Sequence, residues 1–475
     1  MNFAAVLSRV AAREGGKPAV IERAESVSYR QLWRGVEQAA RHLSAAGVQQ
    51  GDRVAIALPN GSSFLEHLFG AMMLRAIAVP VRYDYGPFEV AHILQDCRPK
   101  VFLSDAEWLR ERSWASGLMG DGIALVDAHS RTRRVRDVPP CNWTLATHEP
   151  AVIGYVYTGV GQALGAVHTH RSCTLAGIAY NRHIGIRGDD RILFTLPMPN
   201  AFTLAGCVFA PLLRGATLVI EHDFAPKVLL ATIARAKVTI VTGVPDIFKL
   251  MASFYHRTRH DISSLRLMIT GGAHMSEDSH REVESKMRVP MVQGYGLTES
   301  FPVLCNPPDK RNRPGSLGLA GRDVRVRIAD GRGRDLPAGS VGEIWVSCPF
   351  LMQGYYGQPE RTKRVLRNGW LRTGDLGHID SEGYVYFDGM RKKLINLHGN
   401  KIDPVEVREV LLSHPAIKEV EIVAEGNPSY NGRVIKLRAR VWLRGRRNLD
   451  GGAIRQFCRE RMAAYKVPAF LEVVR

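Results

Sequence analysis

Short apolar runs alternate with amphipathic stretches along most of this 475-residue chain. The runs that predict buried strands lie at residues 54–58, 79–81, 101–103, 216–220, 238–242 and 267–270. At the amino terminus, Phe3, Val6, Leu7 and Val10 recur at helical spacing and predict an amphipathic helix rather than a secretion signal. Strands that alternate with helices are typical of parallel sheets covered by helices, so the pattern predicts an α/β fold.

One segment, residues 192–213, carries no charged residue and is long enough to cross a bilayer. Pro197, Pro199 and Pro211 interrupt it, and proline disrupts a helix interior because it has no N–H donor. We therefore predict no membrane span.

Length, charge and cysteine content indicate a multidomain intracellular protein that attracts anions. The length predicts two or three domains, and a hydrophobic content of 45% is enough for more than one core. The seven cysteines are scattered without a Cys-x-x-Cys pair, which indicates reduced thiols in an intracellular protein. The formal net charge of +18 attracts anions such as nucleotides, CoA or an acidic carrier protein. No nucleic-acid-binding motif is present, so we predict no nucleic-acid partner.

Two motifs suggest a nucleotide site, residues 293–300 (QGYGLTES) and 369–377 (GWLRTGDLG). Glycines let a backbone approach a ligand closely, and Tyr295 offers a flat face to a base. The Thr298 hydroxyl can meet a phosphate, and Glu299 is an oxygen ligand suited to Mg²⁺. Asp375 can accept both hydroxyls of a ribose. Each motif taken alone is also typical of an ordinary turn or loop.

Further segments occur in the order known from the adenylate-forming superfamily, and the chain resembles that family over nearly its whole length. The superfamily includes acyl- and aryl-CoA synthetases, adenylation domains of peptide synthetases, and luciferase. The matching segments are residues 47–60, the Gly271-Gly272-Ala273 loop, residues 342–345, residues 354–356 and residues 399–407.

The resemblance implies a fold and a domain organisation. It implies a large amino-terminal part of stacked α/β subdomains with a β-barrel-like subdomain, followed by a small α+β lid. The implied boundaries are an AMP-binding domain at 1–387, a hinge at 388–392 and a shortened mobile lid at 393–475. Lys392 lies in the hinge, where backbone torsions would change as the lid rotates.

The resemblance also implies a two-step reaction in the cytoplasm. A small carboxylic acid attacks the α-phosphate of ATP, and the thiol of CoA or of a phosphopantetheine-bearing carrier protein then displaces AMP. The implied catalytic residues are Thr298, Glu299 and Lys392, with Glu299 as the Mg²⁺ ligand. The implied nucleotide-binding residues are Gly271, Gly272, Ala273, Tyr295, Gly296, Thr298 and Asp375.

Asn200, Val244 and Gly271 would contact the acid. Relatives usually carry an aromatic residue or a histidine at the position of Asn200. An amide there can hydrogen-bond a carboxylate or a thioester carbonyl, or it can serve as a turn residue. The sequence does not choose between aryl and aliphatic acids.

The chain departs from the family where the first step needs cations. In the phosphate loop Leu164 occupies the position of the usual lysine, and Met390 occupies that of the arginine before the hinge. In relatives the lid lysine follows a segment like 465–468, beyond the position at which this chain ends. Lys466 and Lys436 are possible substitutes for it, but a surface or structural role is the simpler interpretation of both.

His168 and His170 would face one side of a strand if the strand continued through both, but a third metal ligand is not evident. Three functions therefore remain open. The protein is a ligase with unusual phosphate contacts, a degenerate relative limited to acyl transfer, or a noncatalytic acyl- or nucleotide-binding partner.

Overall fold

The computed structural model describes residues 2–23, 25–120, 122–129, 145–157, 162–256, 260–390, 394–397, 400–426, 434–444 and 449–474. The strands, in chain order β1 to β26, are Pro18–Glu22, Glu25–Ser28, Arg53–Ala57, Ile77–Pro80, Val101–Ser104, Ala124–Asp127, Pro150–Tyr157, Ala163–Thr169, Arg191–Phe194, Thr217–Ile220, Ile240–Gly243, Leu267–Thr270, Met291–Leu297, Phe301–Cys305, Leu319–Ala320, Arg325–Ala329, Gly342–Ser347, Gly354–Tyr355, Leu366–Arg367, Trp370–Ile379, Val385–Met390, Ile395–Leu397, Asn400–Ile402, Ile417–Gly426, Val434–Leu443 and Phe470–Val474.

The α-helices, α1 to α14, are Phe3–Arg13, Tyr29–Ala45, Ser62–Met73, Pro87–Cys97, Ala106–Glu111, Trp114–Leu118, His170–Ile184, Ala210–Arg214, Pro226–Ala236, Pro245–Phe254, Glu277–Met287, Pro359–Val365, Pro404–Leu412 and Gly451–Arg459. Short 3₁₀ helices span Leu145–His148 and Ala464–Lys466, and a π-helix spans Thr203–Phe209. Local sequence explains several helix starts. Ser28 and Gln31 form a capping box at α2, and Pro87 follows the Gly86 cap at α4.

Two large sheets form the amino-terminal part. One has the order β18-β8-β7-β4-β3-β5-β6 and the other β15-β14-β13-β12-β11-β9-β10-β1-β2. Their central strands are parallel, whereas the outer pairs β7–β8, β18–β8, β13–β14, β14–β15 and β1–β2 are antiparallel. All six apolar runs overlap strands of these sheets, so the predicted α/β class is confirmed.

The late strands form a separate antiparallel sheet of five, in which β16, β17, β20 and β19 follow one another and β21 pairs with β20. In the β20–β21 register Asp375 lies opposite Met390. The residue in the position of the family's arginine is therefore a direct cross-strand neighbour of the predicted ribose ligand.

The chain after β21 has a core of its own. A β22–β23 hairpin and a β24-β25-β26 sheet pack with α13 and α14 around Ile402, Val407, Ile417, Leu437 and Ile454. Phe88, from α4 of the amino-terminal part, packs against this core. The predicted hinge contains Lys392, which lies outside the described residues.

The segment at 192–213 folds as β9, a loop containing Pro197 and Pro199, the π-helix and then α8. It packs into the core, and no helix in the described part of the chain is long and apolar enough to cross a membrane. The amino-terminal helix is also present as α1, with Phe3, Leu7 and Val10 buried. The six cysteines inside the described ranges are unpaired, and burial raises the pKa of the Cys97 thiol to about 12.

Candidate active site

A cavity of about 150 Å³ lies where the two large sheets and the carboxy-terminal part meet. Its walls combine predicted nucleotide-side residues, predicted acid-side residues and residues of the carboxy-terminal part. The lining side chains and backbone include Arg82, Tyr85, Tyr155, Tyr157, Asn200, Phe202, Val244, Gly272, Tyr295, Gly296, Thr298, Asn400, Lys401 and Tyr465. All three groups meet at this cavity.

On the nucleotide side, Tyr295 and Asp375 form one hydrogen-bonded unit. The Tyr295 hydroxyl donates to Asp375 Oδ2 at 2.7 Å, although the two residues are 80 positions apart. Burial, followed by the Asp375 charge, raises the pKa of Tyr295 far above its ordinary value. Asp375 is also positioned by Thr373, whose hydroxyl accepts from the Asp375 N–H at 3.0 Å. The two motifs of the sequence therefore converge on one bond.

Glu299 lies beside the cavity with one carboxylate oxygen engaged. The Tyr355 hydroxyl donates to Glu299 Oε1 at 2.6 Å, and Oε2 is buried without a hydrogen-bond partner among the described residues. An unpartnered carboxylate oxygen fits a Mg²⁺ ligand, because that ion is often held by one or two carboxylates together with substrate phosphates and water. Within the described ranges, no three His, Cys, Asp or Glu residues form a complete metal site.

Thr298 is held from two directions. Its carbonyl oxygen lies 2.7 Å from His168 Nε2 on β8, and its methyl group packs on Gly154 of β7, where a Cβ would approach it to 3.0 Å. Burial lowers the pKa of His168 to about 4, so the neutral ring donates its Nε2–H to Thr298. Gly296 permits the adjacent turn, since a Cβ there would lie 2.3 Å from the Phe301 carbonyl oxygen.

The acid side is built from three loops. Gly272 adopts a φ of +75° and lines the cavity, whereas Gly271 lies behind Phe202, whose ring would be 3.3 Å from a Cβ on Gly271. Val244 caps α10 and lines the cavity together with Asn200. Ala273 is half-buried and does not line it. Asn200 also begins the turn into the π-helix, because its carbonyl accepts from the Leu204 N–H at 2.8 Å. Both interpretations of Asn200 are therefore compatible with its position.

The β7–β8 hairpin is apolar where relatives carry a lysine. Leu164 is 6% exposed and packs in the main core, opposite Val156 in the strand register. The hairpin turn at 158–161, including Gly159 and Gly161, lies outside the described residues. His168 and His170 also diverge, because Thr169 caps α7 and ends the strand between them. The strand does not continue through both histidines, so the condition under which they would share one of its faces is not met.

The carboxy-terminal part closes the cavity through its β22–β23 hairpin. Asn396 donates to the Gly272 carbonyl at 3.0 Å, and Arg82 donates to Asn400 Oδ1 at 2.6 Å. Lys401 lines the cavity next to Asn400. Lys466 is completely buried and is not among the lining residues, so it is not a surface lysine. Lys436 is exposed on the β24-β25-β26 sheet.

Sequence analysis missed Arg82 and Tyr85. Both follow the buried strand β4 and line the cavity, and the Arg82 guanidinium also lies 4.6 Å from the Tyr465 ring centroid. A polar and aromatic cluster directly after a buried strand was the available signal, because ligands of α/β proteins bind at the carboxyl ends of strands.

Known proteins resemble this chain over most of its length. Residues 7–356 match the family model "AMP-binding enzyme". The chain is 31% identical over 450 residues to feruloyl-CoA synthase from Amycolatopsis sp, covering 94% of this chain and 90% of that protein. It is 30% identical over 479 residues to indoleacetate–CoA ligase from Aromatoleum aromaticum, and the match covers 98% of this chain and 93% of that protein. The chain belongs to the AMP-binding enzyme family of adenylate-forming enzymes, and its predicted class, ATP-dependent acid–thiol ligase, is confirmed.

Solved structures show the same fold. A double mutant of the o-succinylbenzoate-CoA synthetase of Bacillus subtilis with a bound product analogue, OSB-NCoA, matches with a TM-score of 0.88 and 24% identity over 99% of this chain and 94% of that one. The same enzyme with AMP matches over the same shares with a TM-score of 0.75. The two structures of that enzyme therefore differ in shape, and this chain is closer to the first.

Proposed function

We propose that the protein activates a small carboxylic acid as an acyl-adenylate with ATP and then transfers the acyl group to the thiol of CoA. The observation that carries this proposal is the convergence on one cavity of Tyr295 and Thr298, of Asn200 and Val244, and of Lys401. Relatives at 30 and 31% identity are named as CoA ligases of aromatic acids and of long-chain fatty acids. CoA is therefore preferred here to a carrier protein as the thiol.

The nucleotide side has the groups that adenylation needs. The Tyr295 ring faces the base and Asp375 accepts from the ribose, while the Thr298 hydroxyl meets the phosphates. Glu299 Oε2 would hold Mg²⁺, which neutralises phosphate charge as the acid attacks. The protein's own contribution is to orient the carboxylate and the α-phosphate in a site from which water is excluded.

The acid side and the carboxy-terminal part serve the second step. Asn200 is placed to hydrogen-bond the carboxylate and later the thioester carbonyl without changing its charge. Lys401 and Arg82 add positive charge to the cavity wall, and the net charge of +18 attracts an anionic thiol such as CoA. Residues 388–392 act as the hinge between the two steps, and ATP and CoA point to the cytoplasm as the place of reaction.

The apolar hairpin predicts slow adenylation. Loss of one charge-assisted contact typically costs about 1.5 to 3 kcal/mol, or roughly ten- to a hundredfold in rate. With Leu164 in the core and Met390 beside Asp375, two of the family's cations are replaced by apolar side chains. The first step is thus the slower one in this proposal.

The test is a panel of aryl and aliphatic acids assayed with ATP and Mg²⁺, with and without CoA. Pyrophosphate, acyl-AMP and acyl-CoA are quantified by mass spectrometry. We expect acyl-AMP without CoA, and acyl-CoA when CoA is added. Acyl-CoA made only from a synthetic acyl-adenylate would instead identify a transferase limited to the second step. Nucleotide binding without any product would identify a noncatalytic protein.

A further inference from the structure

Lys466 forms a buried ionic cluster that no step of the proposed reaction uses. Its ammonium lies 2.8 Å from Glu89 Oε1, 2.7 Å from Glu406 Oε1 and 2.8 Å from the Tyr157 hydroxyl. Lys466 is 0% exposed, and both glutamates are 1% exposed. A lysine is almost never fully buried unless it is paired, so these contacts are what keep the ammonium in the interior.

The cluster joins the two parts of the chain. Lys466 and Glu406 belong to the carboxy-terminal part, whereas Glu89 lies in α4 and Tyr157 in β7 of the amino-terminal part. Lys466 is therefore the cation that one carboxylate from each part shares. If the two parts separate, Glu89 loses its ammonium partner and Lys466 retains only Glu406.

The start of α4 is shaped to receive the carboxy-terminal part. The Phe88 N–H donates to the Arg461 carbonyl at 3.0 Å, and the Ala463 N–H donates to Glu89 Oε1 at 2.9 Å. Gly86 makes the approach possible, because a Cβ there would lie 2.9 Å from the Met462 Cα. A side chain at this position would force the two backbones apart.

The cluster also fixes residues that line the cavity. Tyr465 directly precedes Lys466 and lines the cavity beneath the Arg82 guanidinium, which in turn donates to Asn400. Tyr157 is shared by both sites, because its ring lines the cavity while its hydroxyl donates to Glu406 Oε1 at 2.7 Å. The ionic cluster therefore positions Tyr465 and Tyr157, which form one wall of the cavity.

We propose that Lys466 and Glu89 are positioning residues that hold the carboxy-terminal part on α4 for thiol transfer, and that adenylation does not depend on them. The proposal rests on the proposed function. It is supported by the overall shape, which by TM-score (0.88 against 0.75) is closer to the double mutant of a relative bound with a CoA-product analogue than to the AMP-bound form of that relative. Burial lowers the pKa of Lys466, but Glu89 and Glu406 outweigh burial and raise it, so the amine stays charged.

The test uses two variants of the full chain, Lys466→Met and Glu89→Gln, which remove one charge each with little change in volume. Lys418→Met is the matched control, because Lys418 is an exposed lysine in the same part of the chain. Two half-reactions are measured separately. One is acyl-AMP formation from ATP and acid, and the other is thioester formation from a synthetic acyl-adenylate and CoA.

A second readout does not depend on activity. Hydrogen exchange followed by mass spectrometry reports on the Phe88 and Ala463 amides, whose bonds exist only when the two parts are docked. We expect exchange there to be about tenfold faster or more in both variants, and thioester formation about tenfold slower or more. Acyl-AMP formation should stay within about twofold of the parent, and the control should match the parent throughout.

Unchanged exchange would overturn the docking role, and an equal loss in both half-reactions would overturn the positioning role. If the parent protein itself makes no thioester, the proposed function fails, yet exchange still decides whether Lys466 docks the two parts. If Lys466→Met does not fold, Glu89→Gln decides by the same two measurements, since its isosteric amide oxygen can still accept from one of the two N–H groups, Gly86 or Ala463, that Glu89 binds.

Discussion

The two sides of the cavity that would face the phosphates of ATP differ sharply in chemistry. On the β13–β20 side, Asp375 and Glu299 are buried, Tyr295 is half-buried, and all three are polar and hydrogen-bonded. On the β7–β8 side, Leu164 is part of the hydrophobic core. A nucleotide site can therefore keep the groups that hold base and ribose while its phosphate loop loses charge. In the proposed function, nucleotide binding and phosphate activation therefore depend on different elements of the fold.

The largest effect is expected from placing a charge in the apolar hairpin. Leu164→Lys puts an ammonium into the core without a partner, so we expect the free energy of unfolding to fall by about 3 kcal/mol or more. Leu164→Met, which conserves volume, should cost less than about 1.5 kcal/mol. Urea denaturation measures both.

Leu164→Lys also tests whether the β7–β8 side of the cavity can take part in phosphate activation. We expect no large gain in pyrophosphate release from Leu164→Lys, because the new side chain faces the core rather than the cavity. A tenfold or greater gain would show that the hairpin can turn this position toward the phosphates, and that the two sides are less different than the structure indicates.

The next effect concerns the polar side. Asp375→Ala removes the proposed ribose acceptor, so we expect affinity for ATP or AMP to fall roughly ten- to a hundredfold, as for the loss of a charge-assisted hydrogen bond. Tyr295→Phe is the matched control. It removes the other partner of the same bond but keeps the carboxylate, and calorimetric titration should show a loss of about threefold or less for it. Equal losses would mean that the bond, and not the carboxylate, matters.

His168 connects the two sides, because it lies on β8 and donates to Thr298. Burial lowers its pKa from 6.5 to about 4, so the folded state binds the proton less tightly than the unfolded state. The contribution of neutral His168 to the free energy of unfolding is fully present above pH 6.5. It is lost as pH falls toward 4, at up to about 1.4 kcal/mol per pH unit. His168→Gln should reduce the slope of unfolding free energy against pH in that window. An unchanged slope would contradict the conclusion that burial lowers the pKa of His168 in the folded state.

The smallest effect is expected from salt, which distinguishes attraction of CoA by the net charge of the protein from binding of CoA by the cavity residues. If the net charge of +18 steers CoA, the KM for CoA should rise a few-fold between low salt and about 0.3 M salt. Pantetheine, which has the thiol but no phosphates, should show little change. A similar rise for both thiols would point to the cavity itself.

Sequence patterns predicted which strands and helices form better than they predicted which residues those elements bring into contact. The apolar runs located six strands, and Phe3, Leu7 and Val10 located the first helix, because burial of one face imposes a period that is visible in sequence. The separation of His168 from His170 was missed. A single capping residue, Thr169, ended the strand, and its hydroxyl bond to Ser172 is a local choice that competes with strand continuation.

The site shows the same division. Tyr295, Thr298, Glu299 and Asp375 were chosen from their chemistry within two motifs, but the bond between Tyr295 and Asp375 joins strands of different sheets. Lys466 was interpreted as a surface or structural lysine, and the surface alternative was wrong. Nothing in its local sequence shows that Glu89, 377 residues earlier, meets it in the interior.

By itself, the sequence determined the α/β class, the family and the candidate nucleotide residues, because these follow from local periodicity and from short motifs. Only the tertiary structure decided that Leu164 faces the core, that Arg82 reaches the cavity and that Lys466 pairs with Glu89. Each of these depends on which segments pack together, and packing is set by the burial of whole faces rather than by the residue types at one position.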